Sequence, residues 1–276
     1  MSFSSEKNIS SVKNFSVIIL AAGLGKRMQN PDIPKVLATI NNKPLIYFVL
    51  KTAISLNSNQ TCVDKICVVV GHKKERVIDY VSKDFFSDFS DDNCKKYPIE
   101  NIVFPTQNQQ LGTGHAAKCA DFFLQNYHSE VLILSGDVPL LSDKTLFNFI
   151  QSHIAENADI SVLSAETVEP FGYGRIVRND KNEFTEIVEE KDATNEIKQI
   201  NEINSGIYFL KANLLFNLLN QIDNQNSQNE FYLTDIIKTG KAQNKKVIAT
   251  KIANINEIQG VNTVEQLRAV EKSYYS

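Results

Sequence analysis

The residues best suited to chemistry lie in a glycine-rich segment near the amino terminus, from Leu20 to Lys35. Gly23 and Gly25 are separated by a single leucine, and basic side chains follow. Those basic residues are Lys26, Arg27 and Lys35. Small residues let backbone N–H groups approach phosphate oxygens closely, and basic side chains offset phosphate charge. The segment predicts a triphosphate-binding loop, although a simple tight turn would use the same glycines.

The loop differs from two common phosphate-binding motifs. It lacks the GK[ST] ending of a P-loop. Met28 stands where a dinucleotide-binding fingerprint has its third glycine. Neither of those motifs therefore describes the segment.

A second chemical feature is Asp137, which directly follows the apolar run VLILSG. A carboxylate at the end of a buried strand needs a cationic partner. Mg²⁺ is suited to this position, because it uses one or two carboxylates together with substrate phosphates. We therefore predict Mg²⁺ at Asp137. The alternative is that Asp137 caps a helix beginning near Ser142 or bonds the N–H of a turn.

A loop around Gln107 is the candidate contact for a base. The amide of Gln107 offers a donor and an acceptor, which suits the alternating edge of uracil. Two histidines, His72 and His115, invite an acid–base role, but a histidine at the end of a strand or the start of a helix is more often structural.

These residues are predicted to lie on an α/β fold. Apolar, β-branched runs predict strands over 16–21, 65–71, 100–105, 130–136 and 158–165. Helical periodicity predicts helices over 45–56, 73–85, 112–127 and 142–155. The alternation indicates a Rossmann-like, mostly parallel, doubly wound sheet, in which ligands bind outside the carboxyl ends of the strands.

The pattern changes after about residue 165. Two strands joined by a polar turn fill 172–192, and further strands are predicted near 205–210 and 245–252. Helices are predicted over 214–222 and 231–243. We expect a tail over 1–14, a domain over 15–274 with a nucleotide lobe over about 15–165, a smaller mixed sugar lobe over about 166–255, and a closing helix over about 262–274.

Composition excludes several classes of protein. The 276 residues carry a formal net charge of -3, which favours neither nucleic acid nor an anionic membrane as partner. The chain contains no apolar run of transmembrane length and no signal-peptide pattern. Four cysteines without metal-ligand spacing predict free thiols: Cys62, Cys67, Cys94 and Cys119. A cytoplasmic enzyme is expected.

The segments LAAGLGKRM and PKVL resemble the signature of sugar-phosphate nucleotidyltransferases, usually LAAGxGxRM followed by PKxL. The resemblance implies that a short run lines the nucleotide: Leu20, Ala21, Ala22 and Gly23. It also implies catalytic roles for Arg27, which holds the triphosphate, for Lys35, which neutralises charge near the reacting phosphates, and for Asp137.

Further segments resemble the bacterial N-acetylglucosamine-1-phosphate uridyltransferases, the amino-terminal half of a bifunctional enzyme. The matching segments are QLGTGHA, GYGRI, EINSGI, YLTDII and GVN, and the resemblance spans about 16–270. It implies that Gln107, Gly112 and Thr113 contact the uridine. The implied sugar-binding residues are Gly136, Gly174, Glu189 and Asn204. It also implies that Asn262 joins Asp137 as a metal ligand, although an asparagine before a helix is more often a cap.

The implied reaction joins UTP and N-acetylglucosamine 1-phosphate into UDP-N-acetylglucosamine and pyrophosphate, on a nucleotide-diphospho-sugar transferase fold. Two alternatives are another sugar 1-phosphate or nucleotide, and a non-catalytic regulator that binds nucleotide sugars. Ser135 departs from the tyrosine that the family often carries there. Because the bifunctional relatives continue into a trimerising β-helix acetyltransferase domain that this chain lacks, a monomer or weak dimer is expected.

Overall fold

The computed structural model describes residues 14–25, 27–28, 32–58, 60–88, 97–124 and 129–275. Lys26, Cys94, nearly all of the predicted tail and the end of the predicted helix over 112–127 lie outside these ranges. Within them, the thiols of Cys62, Cys67 and Cys119 are free, as predicted.

Eleven strands are assigned in the described ranges. They are β1 Asn14–Leu20, β2 Thr39–Ile40, β3 Lys43–Pro44, β4 Cys62–Val69, β5 Ile102–Val103, β6 Glu130–Ser135, β7 Ile160–Glu166, β8 Arg175–Arg178, β9 Phe184–Val188, β10 Glu202–Lys211 and β11 Val247–Ile252. Nine of them form the main sheet, seven in the order β11-β7-β10-β6-β1-β4-β5 with β8 and β9 attached beside β10, and β2 pairs with β3 separately. Parallel pairs join β6, β1, β4 and β5, and also β7 and β11, which confirms the mostly parallel α/β sheet.

Nine α-helices are assigned in the same ranges. They are α1 Leu45–Ser55, α2 Lys74–Asp79, α3 Thr113–Lys118, α4 Asp121–Leu124, α5 Asp143–Ala155, α6 Asn195–Lys198, α7 Ala212–Leu219, α8 Asp235–Ala242 and α9 Val264–Tyr275. No helix of this set has the length and apolar character needed to cross a membrane.

The sheet is covered on both faces, as a doubly wound fold requires. Successive side chains of a strand point to opposite faces, so Phe15, Val17 and Ile19 of β1 pack with α1, α2, α5 and α9. Ile18 packs on the other face with α3, α7 and α8. All four side chains are fully buried. Each such burial stabilises the fold by about 1.5–3 kcal/mol.

Strand β10 departs from the parallel pattern. It lies between β6 and β7 and is antiparallel to both. Its first half also pairs Ile203 with Arg175 of β8, and β8 continues into the antiparallel hairpin with β9. The β8–β9 hairpin therefore extends from the main sheet next to the carboxyl edge of β6. The division into two lobes at about residue 165 stays a prediction.

Several predicted elements have different bounds in the structure, and the helix expected over 112–127 is divided into α3 and α4 within the described residues. The strand expected over 100–105 is only β5, preceded by a 3₁₀ turn over Ile99–Asn101. The helix expected over 73–85 is α2, continued by a π turn over Tyr80–Asp84 and a 3₁₀ turn over Phe85–Asp88. The helix expected from Phe231 begins at Asp235, because the backbone of Phe231 is bonded to Leu111 and Gly114 instead.

Candidate active site

A cleft of about 510 Å³ opens at the carboxyl ends of β1 and β6. The two strands end together, since Leu20 is paired with Ser135 and Val69. Most of the predicted catalytic, nucleotide and metal residues line this cleft: Leu20, Ala22, Gly23, Arg27, Lys35, Gln107, Gly112, Thr113, Asp137 and Asn262. The residues are far apart in sequence, so the fold itself brings them together.

In one corner of the cleft, a lysine ammonium lies between two side-chain oxygen atoms that accept its hydrogen bonds. The ammonium of Lys35 contacts Asp137 Oδ2 and lies 3.0 Å from Asn262 Oδ1. The side chains of Lys35 and Asp137 are each 15% exposed. The amide of Val261 donates to the backbone carbonyl of Asp137 at 2.9 Å, which fixes the two oxygen-bearing loops against each other.

The capping alternatives for Asp137 and Asn262 do not hold in the structure. Ser142 caps α5, where its hydroxyl accepts from the amide of Thr145 at 3.1 Å. At the start of α9, the hydroxyl of Thr263 accepts from the amide of Gln266 at 3.2 Å. The two carboxylate and amide oxygens instead face Lys35.

The glycine-rich loop shapes the phosphate end of the cleft. Among the described residues, no atom lies within 4 Å of the position that a Cβ of Gly23 would take, which leaves its backbone open to a ligand on that side. Gly25 has φ +60°, and a Cβ there would lie 2.8 Å from Cβ of Lys35. Glycine at this position therefore lets Lys35 approach the loop.

Two predicted contacts of the ligand are buried beneath the cleft. Ala21 is 5% exposed and packs in the core, and its amide donates to the carbonyl of Val69 at 2.9 Å. The amide of Gly136 donates to the carbonyl of Leu20 at 2.9 Å. In this structure both residues support the floor of the site.

The opposite end of the cleft is built on Gln107, which is 4% exposed. Its backbone amide donates to the carbonyl of Val70 at 2.8 Å. Its side-chain Nε2 lies 2.9 Å from the carbonyl oxygen of Gly112 and 3.1 Å from Nδ1 of His115. The hydroxyl of Thr113 accepts from the amide of Leu233 at 3.0 Å, so this loop is held by the segment before α8.

The predicted sugar residues form a second group on the hairpin side. The amide of Asn204 donates to the carbonyl of Gly174 at 2.9 Å, and its side-chain Nδ2 donates to the Tyr208 hydroxyl at 3.0 Å. Glu189 accepts from the Thr234 hydroxyl at 3.0 Å. Burial raises the pKa of Glu189, and the hydrogen bond from Thr234 opposes that rise.

Tyr173 is a site residue to which the sequence assigns no role. Burial and the nearby charge of Asp137 raise the pKa of its phenol, while a hydrogen bond with the backbone of Gly260 lowers it. The phenol therefore lies near the backbone of Gly260 and within the electrostatic influence of Asp137. Its place next to Gly174 in the GYGRI segment is the only signal in the sequence, because spacing cannot reveal that residues 137 and 173 lie near each other.

A cavity of about 600 Å³ adjoins Glu189 and lies between β9, α8 and the loop that follows α7. Five carboxylates line it, with Lys238 as the basic residue among the lining side chains: Glu186, Glu189, Asp192, Asp223 and Asp235. Burial, followed by the charge of Asp223, raises the pKa of Asp235 to about 6.

Comparison with known proteins identifies the family. The family described as "Nucleotidyl transferase" matches residues 16–254. "Bifunctional protein GlmU" of Francisella tularensis subsp. novicida (strain U112) is 44% identical over 257 residues, which cover 93% of this chain and 51% of the relative. The protein of the same name from Thermosipho melanesiensis (strain DSM 12029 / CIP 104789 / BI429) is 42% identical over 92% of this chain and 49% of its own. The chain thus spans about half the length of these relatives.

The fold is also that of a solved nucleotide-sugar enzyme. The crystal structure of UDP-glucose pyrophosphorylase complexed with UDP-glucose superposes with a TM-score of 0.74 at 21% identity, covering 96% of this chain and 98% of the other. The predicted fold and the predicted resemblance are both confirmed. Nucleotide and sugar-phosphate substrates and a divalent cation are typical of such enzymes. The chain belongs to the nucleotidyl transferase family.

Proposed function

We propose that this chain transfers UMP from UTP to N-acetylglucosamine 1-phosphate and releases pyrophosphate. The observation that carries the proposal is the convergence of Lys35, Asp137 and Asn262 in one cleft with Gln107 at its other end. This arrangement supports a nucleotide site with charge-neutralising groups at one end and a polar contact for the base at the other.

The donor set at Asp137 and Asn262 fits Mg²⁺. Both side chains direct an oxygen at the Lys35 ammonium, so the corner already holds positive charge between hard oxygen ligands. Asp137 and Asn262 would hold the ion, and substrate phosphates would complete its coordination. A bound Mg²⁺ offsets phosphate charge and polarises a phosphoryl oxygen.

The attacking group needs no general base. The phosphate of a sugar 1-phosphate is already an anion at neutral pH, and its oxygen attacks the α-phosphorus of the nucleotide while pyrophosphate leaves. The protein must hold two polyanions in line and reduce their repulsion. Arg27 and Lys35 supply positive charge from the glycine-rich loop, and the open backbone at Gly23 lies beside them.

The sugar is assigned to the hairpin side of the site. Glu189 can accept hydrogen bonds from sugar hydroxyls, and Asn204 can both donate and accept. Gly174 lies between them: a Cβ there would be 3.5 Å from Glu189 Oε2 and 3.6 Å from Asn204 Cβ. A side chain at Gly174 would therefore intrude on the space proposed for the sugar.

The decisive experiment measures pyrophosphate release with UTP, CTP, GTP and dTTP, each combined with several sugar 1-phosphates in the presence of Mg²⁺. We expect UTP with N-acetylglucosamine 1-phosphate to give the highest kcat/KM. A higher value for another pair would reassign the substrate within the family. Binding of nucleotide sugars without release from any pair would indicate a regulator and overturn the proposal.

A further inference from the structure

The orientation of the Gln107 amide is fixed by its neighbours. One of the two terminal atoms of the Gln107 side chain lies 2.9 Å from the backbone carbonyl oxygen of Gly112. A carbonyl oxygen only accepts hydrogen bonds, so the atom facing it must be the NH₂ group. The backbone of Gln107 is also held in place, because its backbone N–H donates a hydrogen bond to the carbonyl of Val70 at 2.8 Å.

His115 accepts a hydrogen bond from the second hydrogen of the same NH₂ group. Its Nδ1 lies 3.1 Å from Nε2 of Gln107. Because that nitrogen must accept, the ring is neutral and carries its proton on Nε2. Burial, followed by the charge of Lys118, lowers the pKa of His115, although a hydrogen bond with the backbone of Gln109 raises it. The neutral ring is therefore the favoured form near pH 7.

With both hydrogens of the amide engaged, Gln107 has only Oε1 left for a ligand. Among the residues that the structure describes, none donates a hydrogen bond to Oε1, and Gln107 lines the cleft. The side chain thus presents an acceptor rather than the donor and acceptor expected from the sequence. Uracil has a proton on N3 that suits an acceptor, whereas N3 of cytosine carries a lone pair.

We propose that His115 is a positioning residue that holds Gln107 as an acceptor and so selects uracil over cytosine. The proposal rests on the proposed function, which places the base at Gln107. Without an acceptor at His115, the amide loses one of the two bonds that orient it. It can then rotate and present its NH₂ group to N3 of cytosine.

The test compares His115→Leu with His115→Asn in kcat/KM for UTP, dTTP and CTP. Leucine removes the acceptor, whereas Oδ1 of asparagine restores one near the former Nδ1. We expect the leucine variant to lose about tenfold with both UTP and dTTP, which share the N3 proton, through higher KM. CTP should be used at least as well as by the wild type, and the asparagine variant should recover the preference for UTP.

An equal loss with all three nucleotides, or an unchanged UTP-to-CTP ratio, would show that His115 is only structural. A measurement on the unmodified protein covers the case in which the leucine variant fails to fold. Nitrogen-15 NMR of the histidine rings at pH 7 to 8 should show His115 with its proton on Nε2. A proton on Nδ1 would refute the inference even if the wild type makes UDP-N-acetylglucosamine, while an inactive wild type with the expected tautomer would refute only the proposed function.

Discussion

At the scale of single residues, the site depends on charges that meet from distant parts of the chain. Lys35 follows the glycine-rich loop, Asp137 follows β6, and Asn262 precedes α9. Each pair of these residues is separated by at least 102 positions. Removing the charge of Lys35 or Asp137 should therefore lower the rate of the reaction more than the stability of the fold.

Replacing Asp137 with asparagine tests the carboxylate. Asparagine keeps the shape but removes the negative charge that faces Lys35, so we expect kcat to fall by at least about a hundredfold at saturating Mg²⁺. Asp143→Asn, at an exposed residue of α5, is the matched control and should keep its rate. Pyrophosphate release measures both variants. A near-normal rate in Asp137→Asn would remove this carboxylate from the mechanism.

Replacing Lys35 with methionine tests whether its ammonium competes with a metal ion for the same oxygens. Since Lys35 contacts both Asp137 and Asn262, its loss should tighten Mn²⁺ binding in the absence of nucleotide. One charged hydrogen bond of roughly 1.5 kcal/mol corresponds to about tenfold in affinity. Electron paramagnetic resonance of free Mn²⁺ gives the dissociation constant.

The same variant should turn over about a hundredfold more slowly, because the phosphates lose a cation. Tighter Mn²⁺ binding with slower turnover separates competition from general damage to the site. Lys144→Met, at an exposed residue of α5, should change neither quantity. Unchanged or weaker Mn²⁺ binding in Lys35→Met would contradict the competition.

At the scale of elements, the base loop and the segment before α8 hold each other. The amide of Phe231 donates to the carbonyl of Leu111 at 2.8 Å, and the amide of Gly114 donates to the carbonyl of Phe231 at 2.8 Å. Gly112 has φ +104°, and a Cβ there would lie 2.5 Å from the carbonyl oxygen of Phe231. Glycine is therefore required at this contact both by backbone conformation and by space.

Gly112→Ala should cost more stability than a positive φ alone explains. Gly172→Ala is the matched comparison, since Gly172 has φ +86° but, in the part of the chain that the structure describes, no atom within 4 Å of the position that its Cβ would take. We expect about 1 kcal/mol from strain at Gly172 and at least about 3 kcal/mol at Gly112, where backbone atoms must also move. Urea unfolding measures both. KM for UTP should rise in Gly112→Ala, and equal costs at the two glycines would show that Phe231 yields without penalty.

At the scale of the whole molecule, the sequence was most informative about contiguous features. The run from Leu20 to Lys35 indicates a phosphate loop because its small and basic residues are neighbours in the chain. The position of β10 was not predictable, since buried parallel and antiparallel strands have the same apolar pattern. The influence of the Asp137 charge on Tyr173 was also not predictable, because it depends on how the β8–β9 hairpin leaves the sheet.

The free energy of unfolding of the whole molecule should depend on the charge of Asp235 in the acidic cavity beside the hairpin. The pKa of Asp235 is raised to about 6, from 3.8, by burial and by the charge of Asp223. Above pH 6 the folded protein therefore bears a charged carboxylate that the unfolded chain solvates better. As the pH falls from 6 towards 4, only the folded state gains a proton at Asp235, and the penalty disappears.

Asp235→Asn should therefore stabilise the protein at pH 8 and have no stabilising effect near pH 4. The full shift corresponds to about 3 kcal/mol, but partial solvation of Asp235 and its favourable place in the first turn of α8 reduce the expected gain to about 1 kcal/mol. Urea unfolding at pH 8, 6 and 4 measures the free energy of unfolding, with the exposed Asp180→Asn as control. If the wild type is as stable as Asp235→Asn at pH 8, water or Lys238 already relieves the charge of Asp235. If the extra stability of Asp235→Asn is present at pH 8 and fades between pH 6 and 4, the ionised Asp235 carboxylate destabilises the folded protein.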